Sequence, residues 1–225
     1  MTDKERAIID TVTNHVKNHT IADVAAHDWY HIQRVTATAE HLSDKIPCSK
    51  FVVILTALLH DVFDHKFYPG AIIRDEICNL LDKLGVIGDL LPTELENLIH
   101  TIENMSFKGG FNQVQLSIEG QVVQDADRLD AIGAIAIART FAYGGKKDRL
   151  LYDPEQGVTA LESEAHYLAN TEHSINHFYV KLLKLKELLN TEPAKVIAER
   201  RHQFMEQYLE QFFTEWEGRD LIEGQ

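Results

Sequence analysis

Three short groups of ionisable residues have types and spacings that suit chemistry. His27 and His31 are four apart, which puts both on one face if that segment is helical. His60-Asp61 ends the most apolar run of the chain, Phe51 to Leu59, and Asp64 follows Asp61 after two residues. Asp125, Asp127 and Asp130 sit among Val122, Val123, Leu129, Ile132 and Ile135. Ionisable groups at the end of an apolar helix are costly to bury unless they are paired or ligate a metal. Three carboxylates on an otherwise apolar helix repel one another unless a cation is near. Each group also has an ordinary reading. A single His on an apolar helix is more often a hydrogen-bonded core residue than a ligand. Asp28 suits a helix N-cap, and Asp125 or Asp130 suits a solvated face or a partner for Arg128 or Arg149.

The elements that must position these groups are helical, because apolar residues recur at helical spacing and strand-like alternation is nearly absent. Thr2 with Glu5 reads as a capping box before Ile8, Val12 and Val16. A second helix is expected from His27-Asp28 through Ile32, Val35, Ala39 and Leu42, and a third from about Ser49. The third is apolar almost all round, the mark of a helix at the centre of a bundle. Helices are further expected over Ile72 to Leu84 and Thr93 to Glu103, the second opened by a Thr93/Glu96 capping box. A loop at Ser106 to Gly110 precedes one long helix from Ser117 to Tyr143, stopped by Gly144-Gly145. Lys146 to Gly157 reads as a polar loop. Thr159 with Glu162 caps a helix running to about Leu189, and Glu192 to Trp216 forms the last. The fold class is therefore all-α.

The 225 residues are 44% apolar and 25% charged, which suits one globular domain and excludes disordered, collagen-like and fibrous chains. A net charge of −13 disfavours a nucleic-acid polymer as partner, although a local basic pocket still admits a small phosphorylated ligand. Two cysteines, Cys48 and Cys78, make no disulfide framework and no CxxC zinc motif, and read as reduced thiols. Met1 to Arg6 leads into an amphipathic pattern rather than an apolar leader. The run Phe51 to Leu59 is about half of the ~18–20 residues that cross a bilayer. A cytoplasmic protein with no membrane partner is the expectation.

The order of the ionisable groups carries a resemblance. The segments that carry it begin with His27-Asp28-Trp29-Tyr30-His31-Ile32-Gln33-Arg34-Val35 and Leu58-Leu59-His60-Asp61-Val62-Phe63-Asp64-His65-Lys66-Phe67. Met105-Ser106-Phe107-Lys108-Gly109-Gly110, Gln124 to Ala134 and Arg139-Thr140-Phe141-Ala142-Tyr143-Gly144-Gly145 continue it. Together they resemble the HD superfamily of metal-dependent phosphohydrolases, in its bacterial YpgQ/YedJ-like branch. The resemblance covers about residues 26–145, with the helices at about 159–216 matching in character and packed on that core. It implies a single HD-type helical bundle over 1–225 with the metal site in its core.

By that resemblance His31, His60, Asp61 and Asp127 are the four metal ligands. Two imidazoles and two carboxylates suit one borderline divalent cation per chain, with Mn²⁺ the first choice and Ni²⁺, Co²⁺, Fe²⁺, Zn²⁺ or Mg²⁺ the others. His65 and His100 lie where two-metal relatives add ligands, but their surroundings do not match that pattern. Asp64 takes the acid/base position, or else orients His60 from behind. Lys66 is the catalytic and phosphate-binding cation, with His27, Arg34, Lys108 and Arg128 as further substrate contacts. Lys146, Lys147 and Arg149 read as a solvated loop, or as a cover for a polyphosphate tail. Trp29, Phe67 and Tyr143 read as core rings before base-stacking ones. The implied partner is a nucleotide and the implied reaction is cleavage of a (deoxy)nucleoside triphosphate to monophosphate and pyrophosphate. Hydrolysis of a nucleoside monophosphate or cyclic nucleotide is the alternative. A two-iron oxygenase and a non-catalytic metal-binding module stay open behind it, and a homo-oligomer is compatible with all of them.

Overall fold

The computed structural model describes residues 1–20, 28–63, 70, 72–110, 114–156 and 172–221, and among these no strand occurs. The first helices are α1 Asp3–His19, α2 Trp29–Ser43, α3 Lys50–Leu59, α4 Ile73–Lys83 and α5 Pro92–Asn104. They are followed by α6 Ile118–Asp130, α7 Ala134–Lys146, α8 Asn176–Val180 and α9 Glu192–Trp216.

Local sequence sets most of the helix starts. Glu5 N–H donates to Thr2 Oγ1 at 3.2 Å while the Glu5 carboxylate accepts from Thr2 N–H at 2.6 Å, the expected reciprocal cap of α1. Asp28 caps α2 by accepting from His31 N–H at 2.9 Å, and Ser49 caps α3. The box expected at Thr93/Glu96 is displaced by two residues. Pro92 opens α5, Glu94 accepts from Leu91 N–H at 2.9 Å, and Glu96 instead pairs with Arg74 at 2.8 Å. Pro at the first helical position lacks only an N–H that has no partner there, so it outcompetes Thr93 as the start.

Two further expectations are corrected. The single helix expected from Ser117 to Tyr143 is two, because Gly133 adopts φ +89° and ψ −160°, a backbone open only to glycine. Gly144-Gly145 do not stop α7, which runs on to Lys146. Gly144 is there because any Cβ would collide with Ser174 Oγ, so the end of α7 rests directly on the 172–181 segment. The helix expected from Thr159 to Leu189 falls partly on 157–171, outside the described residues. Its remainder is the short α8 and a 3₁₀ stretch, Leu182–Leu188, in which Leu182, Leu185 and Leu188 recur every three residues, the 3₁₀ period.

α3 is the central wall, with every residue from Phe51 to Leu59 buried. On one side Phe51, Leu55, Leu58 and Leu59 pack with Val12 and Val16 of α1, Ile77 and Leu81 of α4, and Leu98 and Ile99 of α5. On the other side Val53 and Ala57 pack with Val35 and Ala39 of α2, Val122, Ala126 and Leu129 of α6, and Phe178, Ala198 and Met205 of the C-terminal layer. α2 spans the seam, giving Ile32 to the first core and Val35, Ala39 and Leu42 to the second. Among the described residues, no helix is long and apolar enough to cross a membrane.

Candidate metal centre

The seam between the two cores ends in a cluster of acceptors. His31 lies on the first turn of α2, His60 directly follows α3, and Asp127 lies on α6. One ligand atom from each of the three falls within 4.8 Å of the others, a group able to hold a metal ion. His31 Nε2 is 3.3 Å from His60 Nε2 and 3.5 Å from Asp127 Oδ1. Asp61 Oδ2 stands 3.8 Å from the same His31 nitrogen. Ligand atoms bonded to one cation at ~2.1 Å are ~3.0–3.4 Å apart when adjacent, so the cluster is close to loaded spacing.

The proton positions strengthen this. His60 Nδ1 donates to the Ala57 carbonyl at 2.7 Å, and His31 Nδ1 donates to Asp130 Oδ2 at 2.8 Å. Each ring therefore has its proton on the outer nitrogen and turns the lone pair of Nε2 inward. Burial lowers the His31 pKa more than the Asp130 and Asp127 charges raise it, so this ring is neutral. Two imidazole lone pairs and the Asp127 carboxylate converge here with the Asp61 carboxylate beside them, a set of acceptors that a divalent cation would satisfy. His31 is 2% exposed and Asp127 35%, so the inner ligands are shielded while one side remains open to solvent and substrate.

Behind His31, Asp130 acts as a buttress. It accepts from Arg34 Nε at 2.7 Å and Nη2 at 3.0 Å, and from Arg139 Nη1 at 2.7 Å. Burial pushes its carboxyl up, but the bonds from His31 and Arg34 and the Arg139 charge outweigh this and hold it well below the usual carboxylate range. A charged acceptor on the outer nitrogen fixes a ligating imidazole's tautomer and makes it a better donor to metal. Asp125 faces elsewhere. It accepts from Asn190 N–H and Nδ2 at 2.8 Å each and from Thr191 N–H and Oγ1 at 2.7 Å each, fastening the start of α9 to α6.

Of the residues singled out in the sequence, the structure gathers His31, His60, Asp61 and Asp127. Asp64, Lys66 and His27 lie outside the described residues. Arg34 is bidentate on Asp130. Lys108 is half-buried on the 108–110 turn, at φ +43°. Arg128 points away from the cluster and donates to the Leu188 carbonyl, with burial lowering its pKa. His100 turns Nε2 toward the Gln115 carbonyl at 3.4 Å. Sequence reasoning missed the joint role of Asp130 and Arg139. The available signal was a pair of one-turn spacings, His31/Arg34 on one helix and Asp127/Asp130 on another.

Comparison with known proteins agrees with this geometry. The HD domain family model matches residues 28–132. The chain is 36% identical over 219 residues to YpgQ of Bacillus subtilis, covering 96% of this chain and 98% of that one. The crystal structure of YpgQ in complex with ADP superposes with a TM-score of 0.73 at 35% identity, over 94% of this chain and 96% of that one. A crystal structure from Lactobacillus plantarum gives a TM-score of 0.82 at 33% identity, covering 97% and 99%. An HD-superfamily hydrolase from Bacillus thuringiensis gives 0.70 at 42% identity, covering 95% and 98%.

Proposed function

Since the chain belongs to the HD-domain family of metal-dependent phosphohydrolases, alongside the YpgQ-like bacterial proteins, we propose that it cleaves a (deoxy)nucleoside triphosphate to monophosphate and pyrophosphate. The observation that carries the reading is the convergence of two inward-turned imidazole lone pairs with Asp127 and Asp61. The complex of its relative YpgQ with ADP supports a nucleotide as the ligand.

In this reading His31, His60, Asp61 and Asp127 hold one divalent cation, Mn²⁺ first. When bound, the cation supplies an acidified water and a positive charge against a phosphoryl oxygen. Asp130 keeps the His31 proton on Nδ1, and the Ala57 carbonyl does the same for His60. Asp64 accepts the proton of the attacking water. Lys66, His27, Lys108 and the Arg34 N–H groups not bonded to Asp130 bind phosphate oxygens, while Arg128 contributes charge from behind α6. Water oxygen bonds to the α-phosphorus, the α–β bridging P–O bond breaks, and its electron pair leaves with pyrophosphate.

The test is an assay of the metal-replete protein across the deoxynucleoside triphosphates, with products separated by chromatography and Asp61→Ala as control. Monophosphate plus pyrophosphate, absent from the variant, is the expected result. Orthophosphate alone, or no turnover, overturns the triphosphate reading and moves the search to monophosphates and cyclic nucleotides. Two metal equivalents per chain with an iron-dependent visible spectrum would place the protein with the two-iron oxygenases.

A further inference from the structure

A second constellation lies on α7, one turn beyond Arg139. Arg139 reaches Asp130, and Tyr143, four residues later, occupies the same helix face. The Arg149 guanidinium stands over the Tyr143 ring at 5.5 Å from its centroid, and Lys147 Nζ at 5.9 Å. His177 and Lys181, also four apart, come from α8 and the residue after it. Lys181 Nζ stands over the Phe107 ring at 5.6 Å. The loop carrying Phe107 is tied to α6, since the Met105 carbonyl accepts from Gln124 at 3.0 Å, one turn before Asp127. Three cations and two rings are thus linked to the metal-bearing helices through Arg139 on one side and through the Gln124–Met105 hydrogen bond on the other.

The group is held in place rather than displayed on loose loops. Gly144 lets α7 touch Ser174, and Ser174 and Ile175 N–H donate to the Leu150 and Leu151 carbonyls at 2.9 and 3.0 Å. Burial, then the Lys181 and Arg149 charges, push the His177 pKa down to about 3, so both cations stand close to a neutral imidazole. Among the described residues, neither Lys147 nor Lys181 has a carboxylate within ion-pair distance. In a chain of net charge −13, like charges gathered beside neutral rings form a local anion site.

We propose that Lys147, Arg149 and Lys181, framed by Tyr143 and Phe107, form a polyphosphate subsite distinct from the metal centre, which takes the terminal phosphates of the substrate. The assignment deepens the triphosphate reading above and rests on it for the reaction. As the α–β bridging bond breaks, the electron pair stays on the departing pyrophosphate, and these ammonium and guanidinium groups accept that charge. A monophosphate leaves the subsite empty, so the subsite selects for chain length.

The experiment is calorimetric titration of the full-length chain, stripped of metal, with inorganic tripolyphosphate. Lys181→Gln and Arg149→Gln are each expected to weaken binding about 10-fold, and the double variant about 100-fold. Lys181→Arg restores most of it, and Asp61→Ala binds no more weakly than the unaltered chain. Equal affinity in the unaltered chain and the double variant, or no binding by the unaltered chain, overturns the proposal. Retained thermal melting in the variants excludes a folding defect as the cause. If tripolyphosphate binding behaves as expected but no nucleotide is hydrolysed, the reaction fails and the subsite stands. With turnover, the variants raise KM for triphosphate through the lost contacts and lower kcat through the lost stabilisation of the leaving pyrophosphate.

Discussion

Asp125 and Asp130 lie five residues apart on one helix, both buried and both saturated with hydrogen-bond donors, and they do different work. The donors around Asp125 are neutral: two backbone N–H groups, an amide and a hydroxyl, all from Asn190 and Thr191. Those around Asp130 are two guanidinium groups and the ring of His31. A buried carboxylate among neutral donors is a fastener whose effect is felt in stability. A carboxylate overbalanced by cations and touching a metal-facing imidazole is an electrostatic support whose effect is felt in ligand binding. Between them on the same helix, Asp127 meets the histidines on the open side of the centre.

The largest expected difference is in folding. Asp125→Ala leaves three donors without an acceptor, two of them on Thr191 in the interior, while Asn190 Nδ2 keeps Gln124, and should destabilise the fold by about 3–5 kcal/mol in denaturant titration. Metal affinity of the remaining folded protein should stay within about twofold. Asp130→Ala should do the reverse, weakening metal binding about 10–100-fold in chelator competition. Its cost in stability should be the smaller, because Arg34 and Arg139 are partly exposed and can turn to water. Equal effects of the two substitutions on metal affinity would erase the distinction.

Acid should loosen the layer that Asp125 fastens. The unfolded chain protonates His177 near 6.5, whereas the folded chain does so only near 3. Stability from this group is present above pH 6.5 and is lost as pH falls toward 3, amounting to about 2 kcal/mol between pH 7 and 5. A His177→Asn variant should lack that part of the pH dependence in parallel denaturation curves. The smallest effect is expected from Thr191→Val, which removes one hydroxyl donor from Asp125 and should cost about 1 kcal/mol without moving metal affinity.

How far the sequence reaches differs between these residues for physical reasons. Thr2, Asp28 and Ser49 act within three residues of themselves, so their caps are legible in the chain. The apolar run of α3 announces its own burial, and the ordered His31, His60, Asp61 and Asp127 announce a cation through the family resemblance they carry. Asp130 does not declare its partners, because they arrive from α2 and α7 and any carboxylate near an arginine looks alike in sequence. Gly133 and Gly144 look equally like helix breakers, yet one breaks the helix by its dihedral angles and the other permits a contact. That contact depends on Ser174, 30 residues further on, and no local pattern contains it.

The hydrogen bond between His31 and Asp130 joins residues 99 positions apart. During synthesis both histidines leave the ribosome long before α6 exists, and a chain grown only through α5 has neither Asp127 nor the carboxylate that sets the His31 tautomer. Such a chain can bury Val12, Ile77 and Leu98 around α3, since that core draws on the first five helices alone. The complete ligand set, with the carboxylate that orients His31, therefore exists only once α6 has been made and has docked on a core that the first five helices can already form.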